Sequence, residues 1–113
     1  MKGGEDLIAV REFSLDGREG AVRVELDRPI KSPGHDDYCC SFRILGLGAD
    51  LSSHACGIDA IQAIMLALTK IGVILHSSDE ARSGRLAWPS AGSGDFGLPV
   101  TEGMRNSGKR SGR

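Results

Sequence analysis

The chain has 113 residues, of which 40% are hydrophobic, and this length fits one compact domain and excludes two separate hydrophobic cores. The formal net charge of -1 excludes a strongly basic protein, but the charges are unevenly distributed. Residues 1–100 carry ten Lys or Arg against fourteen Asp or Glu, whereas residues 101–113 carry four against one. We therefore predict a single domain over residues 1–100 and a basic tail over residues 101–113.

The basic tail, TEGMRNSGKRSGR, has no apolar periodicity and is rich in Gly and Ser. It cannot bury enough apolar surface to offset the entropy lost on ordering, so we predict that it is disordered. Its cations could contact phosphate groups. The acidic body argues against nucleic acid as the partner, because its strands lack the interleaved basic and aromatic residues of a base-stacking platform.

The chain has three cysteines, Cys39, Cys40 and Cys56, and this odd number with an adjacent pair does not fit a disulfide framework. A reducing compartment fits better. The N-terminal MKGGEDLIAV has acidic residues where a signal peptide needs an apolar run. No charge-free stretch reaches the roughly 18 residues of a membrane span. We expect a cytoplasmic protein that makes no contact with a membrane.

Alternation of apolar and polar residues predicts strands through the first half of the chain. The segments are Leu7–Leu15, Ala21–Arg28, Tyr38–Leu45 and a shorter strand near Leu51–Cys56. Asp16-Gly17 supplies a turn between the first two, which are therefore predicted to form a hairpin. A further short strand is predicted at Arg85–Trp88, where Pro89 would end it at a sheet edge.

The segment from Gly57 to Leu75 is the only long one whose apolar residues recur at helical spacing. Asp59 followed three residues later by Gln62 has the spacing of a capping box. The predicted core face of this helix consists of Ile61, Ile64, Met65, Leu68, Ile71, Gly72 and Leu75. The element order β-β-β-β-α-β predicts an α+β fold, an antiparallel sheet of about four or five strands with one long helix packed on one face.

The opposite side of the predicted helix is less polar than a solvated helix face normally is. Its apolar residues are Ala63, Leu66, Ala67, Val73 and Ile74. Contiguous exposed apolar surface usually marks an interface, so we predict that these residues contact a second copy of the chain and that the protein is a homodimer.

Three segments carry a resemblance to a known family: GIDAIQA at residues 57–63, RLAW at 85–88 and GDFGLP at 94–99. In these the chain resembles a family of small uncharacterised bacterial proteins with a G-x-D-A-x-Q-A helix start. The resemblance covers roughly residues 7–99. It implies the architecture and a bacterial origin, and it assigns no functional residues.

The strongest arrangement for catalysis is His54 with Cys56, which share one face of the fourth predicted strand. A thiolate activated by an imidazole near a helix N-terminus is a sound nucleophile, and Asp59 could orient the histidine. The plain alternative is that Cys56 fills the core and Asp59 caps the helix. No C-x-x-C or H-x-x-x-H pair supplies a chelating nucleus, so we expect no metal and no cofactor.

Two functional hypotheses follow from these residues. The first is a non-enzymatic binding module that acts as a homo-oligomer and binds an unidentified protein or small ligand, with Tyr38, Trp88 and Phe96 as its contact residues. The alternative is a small enzyme that uses the Cys56 and His54 pair on a small metabolite. We favour the binding module, because no residue pattern in the chain identifies a reaction.

Overall fold

The computed structural model of the chain describes residues 6–91 and 94–99. The elements in chain order are β1 (Leu7–Leu15), β2 (Arg18–Asp27), β3 (Ile30–Lys31), β4 (Tyr38–Leu45), β5 (Leu51–Gly57), α1 (Ala60–Ser77), α2 (Asp79–Arg82) and β6 (Leu86–Ala87). The predicted α+β fold with one long helix on an antiparallel sheet is confirmed. The short elements β3 and α2 were not predicted. The predicted disordered tail lies outside the described residues.

The sheet is antiparallel throughout, and β4 has neighbours on both of its edges. β5 pairs with β4 along Tyr38–Ile44, so β2 and β3 must lie along the other edge of β4. β1 pairs with β2 and, at Ser14 and Leu15, with β6. Among the described residues, β5 is therefore an edge strand that pairs with β4 alone.

The first hairpin turns at Asp16 and Gly17, as the sequence predicts. Both residues have positive φ angles, 54° and 82°, which is the backbone conformation of the two-residue turns that match the twist of paired strands. Gly adopts this conformation without steric cost, and Asp tolerates it better than most residues do. The turn brings Leu15 opposite Arg18 and sets the register of β1 against β2.

The core lies between one face of the sheet and α1. The sheet contributes Phe13, Val22, Val24, Leu26, Cys40, Phe42 and Ile44, and the helix contributes Ala63, Ala67, Ile71 and Leu75. The predicted core face of the helix is correct at Ile71, Gly72 and Leu75 and wrong at Ile61 and Met65, whose side chains are exposed. In the first half of the helix the small residues Ala63 and Ala67 face the sheet, and in the second half Ile71 and Leu75 do so.

Residues 94–99, which we call the C-terminal strap, cross the second half of α1. Phe96 is only 2% exposed, and its ring lies edge-on to Phe13 and 4.6 Å from the ring of His76 between centroids. Further along, the strap passes Gly72 so closely that a Cβ there would lie 2.7 Å from the carbonyl oxygen of Pro99. Glycine at this position therefore allows the strap to lie directly on the helix backbone.

Arg11 of β1 holds the strap in place. Its NH1 group donates hydrogen bonds to the carbonyl oxygens of Phe96, at 3.1 Å, and Gly97, at 2.9 Å. The same guanidinium lies over the ring of Trp88, with Cζ 4.0 Å from the ring centroid. Arg11 thus joins the first strand to two separate parts of the C-terminal region through charge-assisted hydrogen bonds and a cation–π contact.

The other face of the sheet carries a row of ion pairs across β1, β2 and β4. Arg23 pairs with Glu12 and Glu25, and Arg43 pairs with Glu25 and, in a bidentate manner, with Asp27. The hydrogen bonds from Arg43 and then from Arg23 lower the pKa of Glu25. The bidentate contact with Arg43 accounts for the burial of Asp27, since buried charges are retained where they are paired.

Cys39 and Cys56 form a disulfide bond between β4 and β5, which corrects the expectation that the cysteines do not pair. The adjacency of Cys39 and Cys40 is no obstacle, because successive strand residues point to opposite faces. Cys39 lies opposite Cys56 in the register, whereas Cys40 points into the core and is free. The bond removes the argument from cysteine pairing for a reducing compartment, and cytoplasmic localisation stays a prediction.

Replacement of Arg11 by Ala is expected to lower the free energy of unfolding by about 2 kcal/mol, because it removes the hydrogen bonds to the strap and the contact with Trp88. Urea unfolding followed by the fluorescence of Trp88, the only tryptophan in the chain, measures this directly. Arg18→Ala is the matched control, since Arg18 is exposed at the start of β2. Equal stability of the two variants would contradict the role assigned to Arg11.

The stability of the protein is expected to decrease as the pH falls through about 6.5, the pKa of an unperturbed histidine. Burial against the strap lowers the pKa of His76 in the folded state, and the nearby Asp95 carboxylate opposes this only in part. The unfolded state therefore binds more protons in this range, so acidification favours unfolding. Urea midpoints at pH 7.5 and 5.5 should differ less in His76→Gln than in the wild type, and equal differences would contradict the prediction.

Candidate functional site

The start of α1 is fixed by reciprocal hydrogen bonds. The Oδ1 atom of Asp59 accepts a 2.8 Å hydrogen bond from the backbone N–H of Gln62, and the Oε1 atom of Gln62 accepts one of the same length from the N–H of Ile58. The bond from Gln62 N–H to Asp59 is the cap that the spacing predicts, whereas Gln62 binds the N–H of the residue before the N-cap rather than that of the N-cap itself. It holds the chain at Ile58 and sets the direction in which the first turn of the helix presents its side chains.

The exposed side of α1 is apolar, and we call it the outer face of α1. It consists of Ile58, Ile61, Met65, Leu66 and Val73, the first of which lies just ahead of the helix. Ile58 is 77% exposed, Ile61 is 70% exposed and Met65 is 58% exposed. Single exposed apolar residues are normal in soluble proteins, but several on the exposed side of one helix form an apolar surface, which the polar side chains of Gln62 and Thr69 interrupt here.

The C-terminal strap divides this side of the helix into a covered half and an open half. The strap reaches the helix at His76 and Gly72. Ile61 and Met65 lie two to three turns nearer the helix N-terminus, where no described residue covers them. The open half is therefore the part of the helix that the described fold leaves in contact with solvent.

A cleft of about 530 Å³ adjoins the C-terminal end of the outer face. It lies between α1 and the turn that joins β4 to β5, and its lining is mainly apolar. The residues are Ile44, Leu47, Gly48, Ala49, Leu51, Val73, Ile74, Ser77, Ser78 and Glu80. Val73 belongs both to this cleft and to the outer face, so the apolar surface continues from the helix into a concavity.

The structure separates the residues predicted for the dimer interface. Ala63 and Ala67 are fully buried against the sheet and cannot contact another copy of the chain. Leu66 and Val73 are exposed, and Ile74 is half-buried in the wall of the cleft. Ile58, Ile61 and Met65 were not predicted as surface residues. The signal that could have found them is the spacing of Ala63, Ala67 and Ile71, which suits close packing.

The predicted catalytic residues do not form a catalytic arrangement. The sulfur of Cys56 is bonded to Cys39, so it is not available as a thiolate while that bond is intact. His54 is exposed on the same face of β5, and its backbone carbonyl accepts a hydrogen bond from Lys70. The carboxylate of Asp59 is used in the helix cap. Asp59 therefore caps the helix, which is the plain alternative stated for it above.

None of the predicted ligand contacts Tyr38, Trp88 and Phe96 lines the cleft beside α1. Phe96 is buried in the core, and Tyr38 packs against the same core from β4. Trp88 is half-buried beneath Arg11. These aromatic side chains stabilise the fold. The contacts of Arg11 with the Trp88 ring and with the carbonyl oxygen of Phe96 were not predicted.

Two further observations bear on what the site can bind. Within residues 6–91 and 94–99, no three His, Cys, Asp or Glu side chains come together in a group that could hold a metal ion. By length and composition alone α1 could cross a membrane, a property that core helices of soluble proteins share. In this fold one side of α1 is packed on the sheet.

A family model described as a domain of unknown function (DUF6968) matches residues 9–100, which include all of the sheet from Ala9 onward, both helices and the strap. No curated protein and no solved structure matches the chain. The matched region is more than four fifths of the 113 residues, and it contains both the outer face of α1 and the cleft. The chain belongs to the DUF6968 family of domains of unknown function.

Proposed function

We propose that this protein is a non-enzymatic binding module that acts as a homodimer through the outer face of α1. The observation that carries the proposal is the exposure of Ile58, Ile61 and Met65 along the open half of the helix. Burying such side chains between two copies removes apolar surface from water, at about 25 cal/mol for each Å². The cleft beside Val73 extends the surface that a partner can cover.

The charge of the outer face supports a second copy of the chain as the occupant. Apart from Lys70, the described helix α1 contains no Asp, Glu, Lys or Arg. Lys70, the one cation of the helix, turns towards β5 and donates a 3.1 Å hydrogen bond to the carbonyl oxygen of His54. A partner recognised by charge would have no anchor here, whereas an uncharged face pairs with itself without like-charge repulsion.

An antiparallel arrangement of the two helices makes the best use of the surface. A two-fold axis close to Leu66 would bring the open half of one helix, at Ile61, to the Val73 end of the other. Ile61 and Val73 are about 18 Å apart along the helix axis, so a pair of such contacts spans most of α1. Each copy would then place the large side chains of its first turns at the mouth of the cleft of the other.

Replacement of Ile61 by Glu is expected to weaken the dimer at least about tenfold, because the interface would have to desolvate an unpaired carboxylate. The measurement is the dissociation constant from light scattering or sedimentation over a dilution series. Ile61 is exposed and lies outside the core, so the variant is expected to fold, and its urea midpoint should stay within a small margin of the wild-type value.

Ile8→Glu is the matched control for this experiment. Ile8 is an exposed apolar residue of β1, 50% exposed, and it does not belong to the outer face of α1. The same substitution there should leave the dissociation constant unchanged. A wild-type protein that is monomeric at every concentration would overturn the homodimer, as would equal effects of the two substitutions. A third outcome is a monomer in which Met65 is oxidised faster after residues 101–113 are removed. That result would assign the outer face to the chain's own C-terminal segment.

A further inference from the structure

We propose that the Cys39–Cys56 disulfide is a reversible redox site that exchanges with dithiol reductants, and that its reduction releases the end of β5 and loosens the start of α1. This inference does not depend on the homodimer. It concerns a bond between two strands on the face of the sheet opposite the core.

The two cysteine residues of the bond differ in their exposure to solvent. Cys56 is exposed, whereas Cys39 is half-buried. β5 is an edge strand, so no further strand shields Cys56 from solvent within the described fold. Thiol–disulfide exchange requires a thiolate to reach a sulfur along the S–S axis, and accessibility decides which sulfur is attacked. An incoming thiolate therefore attacks Cys56, and Cys39 is the leaving group.

The hydroxyl of Ser32 lies in position to donate a hydrogen bond to the sulfur of Cys39, the leaving group. Its Oγ atom lies 3.3 Å from the sulfur of Cys39. A disulfide sulfur carries no proton, so the hydroxyl of Ser32 is the donor in this contact. The backbone of Ser32 is held by a 2.9 Å hydrogen bond from its N–H to the carbonyl oxygen of Asp37. A positioned donor stabilises the Cys39 thiolate as it leaves, and a more stable leaving thiolate leaves faster.

The exchange reaction balances with a dithiol as the co-reactant. One thiolate of the reductant forms a bond to the sulfur of Cys56 while the Cys39–Cys56 bond breaks, and the electron pair leaves on Cys39, which takes a proton from water. The second thiol of the reductant then attacks the reductant's own sulfur in the mixed disulfide. Cys56 leaves as a thiolate, which is protonated in turn. Two electrons pass to the protein, and the reductant becomes a cyclic disulfide.

Reduction loosens the connection between β5 and α1, because the disulfide lies next to that connection. Cys56 is the last residue but one of β5, and only Gly57 and Ile58 separate it from the helix cap at Asp59. Gly57 is packed tightly against the first turn, since a Cβ there would lie 2.9 Å from the backbone nitrogen of Ala63. Movement at Cys56 therefore reaches the helix start without a flexible linker in between.

The free thiol of Cys40 gives an internal control. It points into the core, where its sulfur donates a hydrogen bond to the carbonyl oxygen of Asp27 at 3.2 Å. Burial raises the pKa of this thiol, and the charge of Asp27 adds to the increase, so Cys40 is expected to stay unreactive in the folded protein. Alkylation of Cys40 therefore reports unfolding, whereas alkylation of Cys39 and Cys56 reports opening of the disulfide.

The test is reduction of the full-length native protein by dithiothreitol, followed by alkylation with iodoacetamide and peptide mass spectrometry. We expect Cys39 and Cys56 to be alkylated while Cys40 is not. Amide hydrogen exchange in residues 51–58 should become faster by about tenfold or more on reduction, because the edge strand loses its covalent link to β4. Oxidised glutathione should restore the slow exchange.

Ser32→Ala tests the leaving-group step, and Ser41→Ala is its matched control, an exposed serine two residues from Cys39 on the same strand face. Ser32→Ala should slow reduction by about fivefold, and Ser41→Ala should not change the rate. Reduction that always occurs together with Cys40 alkylation would overturn the proposal, since the bond would then open only by unfolding. Unchanged hydrogen exchange after reduction, or equal rates in the two serine variants, would overturn it as well.

Discussion

The packing of small residues from α1 against the sheet is the constraint on which the rest of the structure depends. Ala63 and Ala67 bring the helix backbone close to β4 and β5, and Ile71 and Leu75 fill the wider space further along. This choice fixes the rotation of the helix about its axis. Once the alanines face the sheet, Ile61 and Met65 must point outward, because residues at those positions lie on the other side of a 3.6-residue repeat.

The rotation creates two different surfaces on one helix. In the second half, Gly72 leaves room for the strap, and Phe96 fills the space beside His76 while Arg11 holds the strap from β1. In the first half no described residue covers the helix in this way, and the apolar side chains remain exposed. The described residues therefore contain an example of how this helix is covered and a region that they leave uncovered, which is the physical basis for the proposal that a second copy of the chain covers the open half.

β4 connects this packing to the chemistry on the opposite face of the sheet. Its residues alternate between the two faces of the sheet. Cys40, Phe42 and Ile44 point into the core, whereas Cys39 and Arg43 lie on the polar face. The ion pairs of Arg43 join β4 to β2, and the disulfide joins β4 to β5. The two edges of the strand thus carry different cross-links: ion pairs on the β2 side, and on the β5 side a single covalent bond, which we propose a reductant can open.

The sequence by itself determined the local elements: the alternating strands, the Asp16-Gly17 turn, the cap at Asp59 and Gln62, and the single long helix, because period and turn chemistry are local properties. It determined the α+β class for the same reason. Only the tertiary structure decided which side of α1 faces the sheet, that Phe96 is buried in the core while Trp88 packs beneath Arg11, and that Cys39 meets Cys56. Those outcomes depend on distances between residues far apart in the chain. When nearly all of a helix is apolar, its pattern does not distinguish the buried side from the exposed one, and the size of the side chains that the sheet can accept makes that choice.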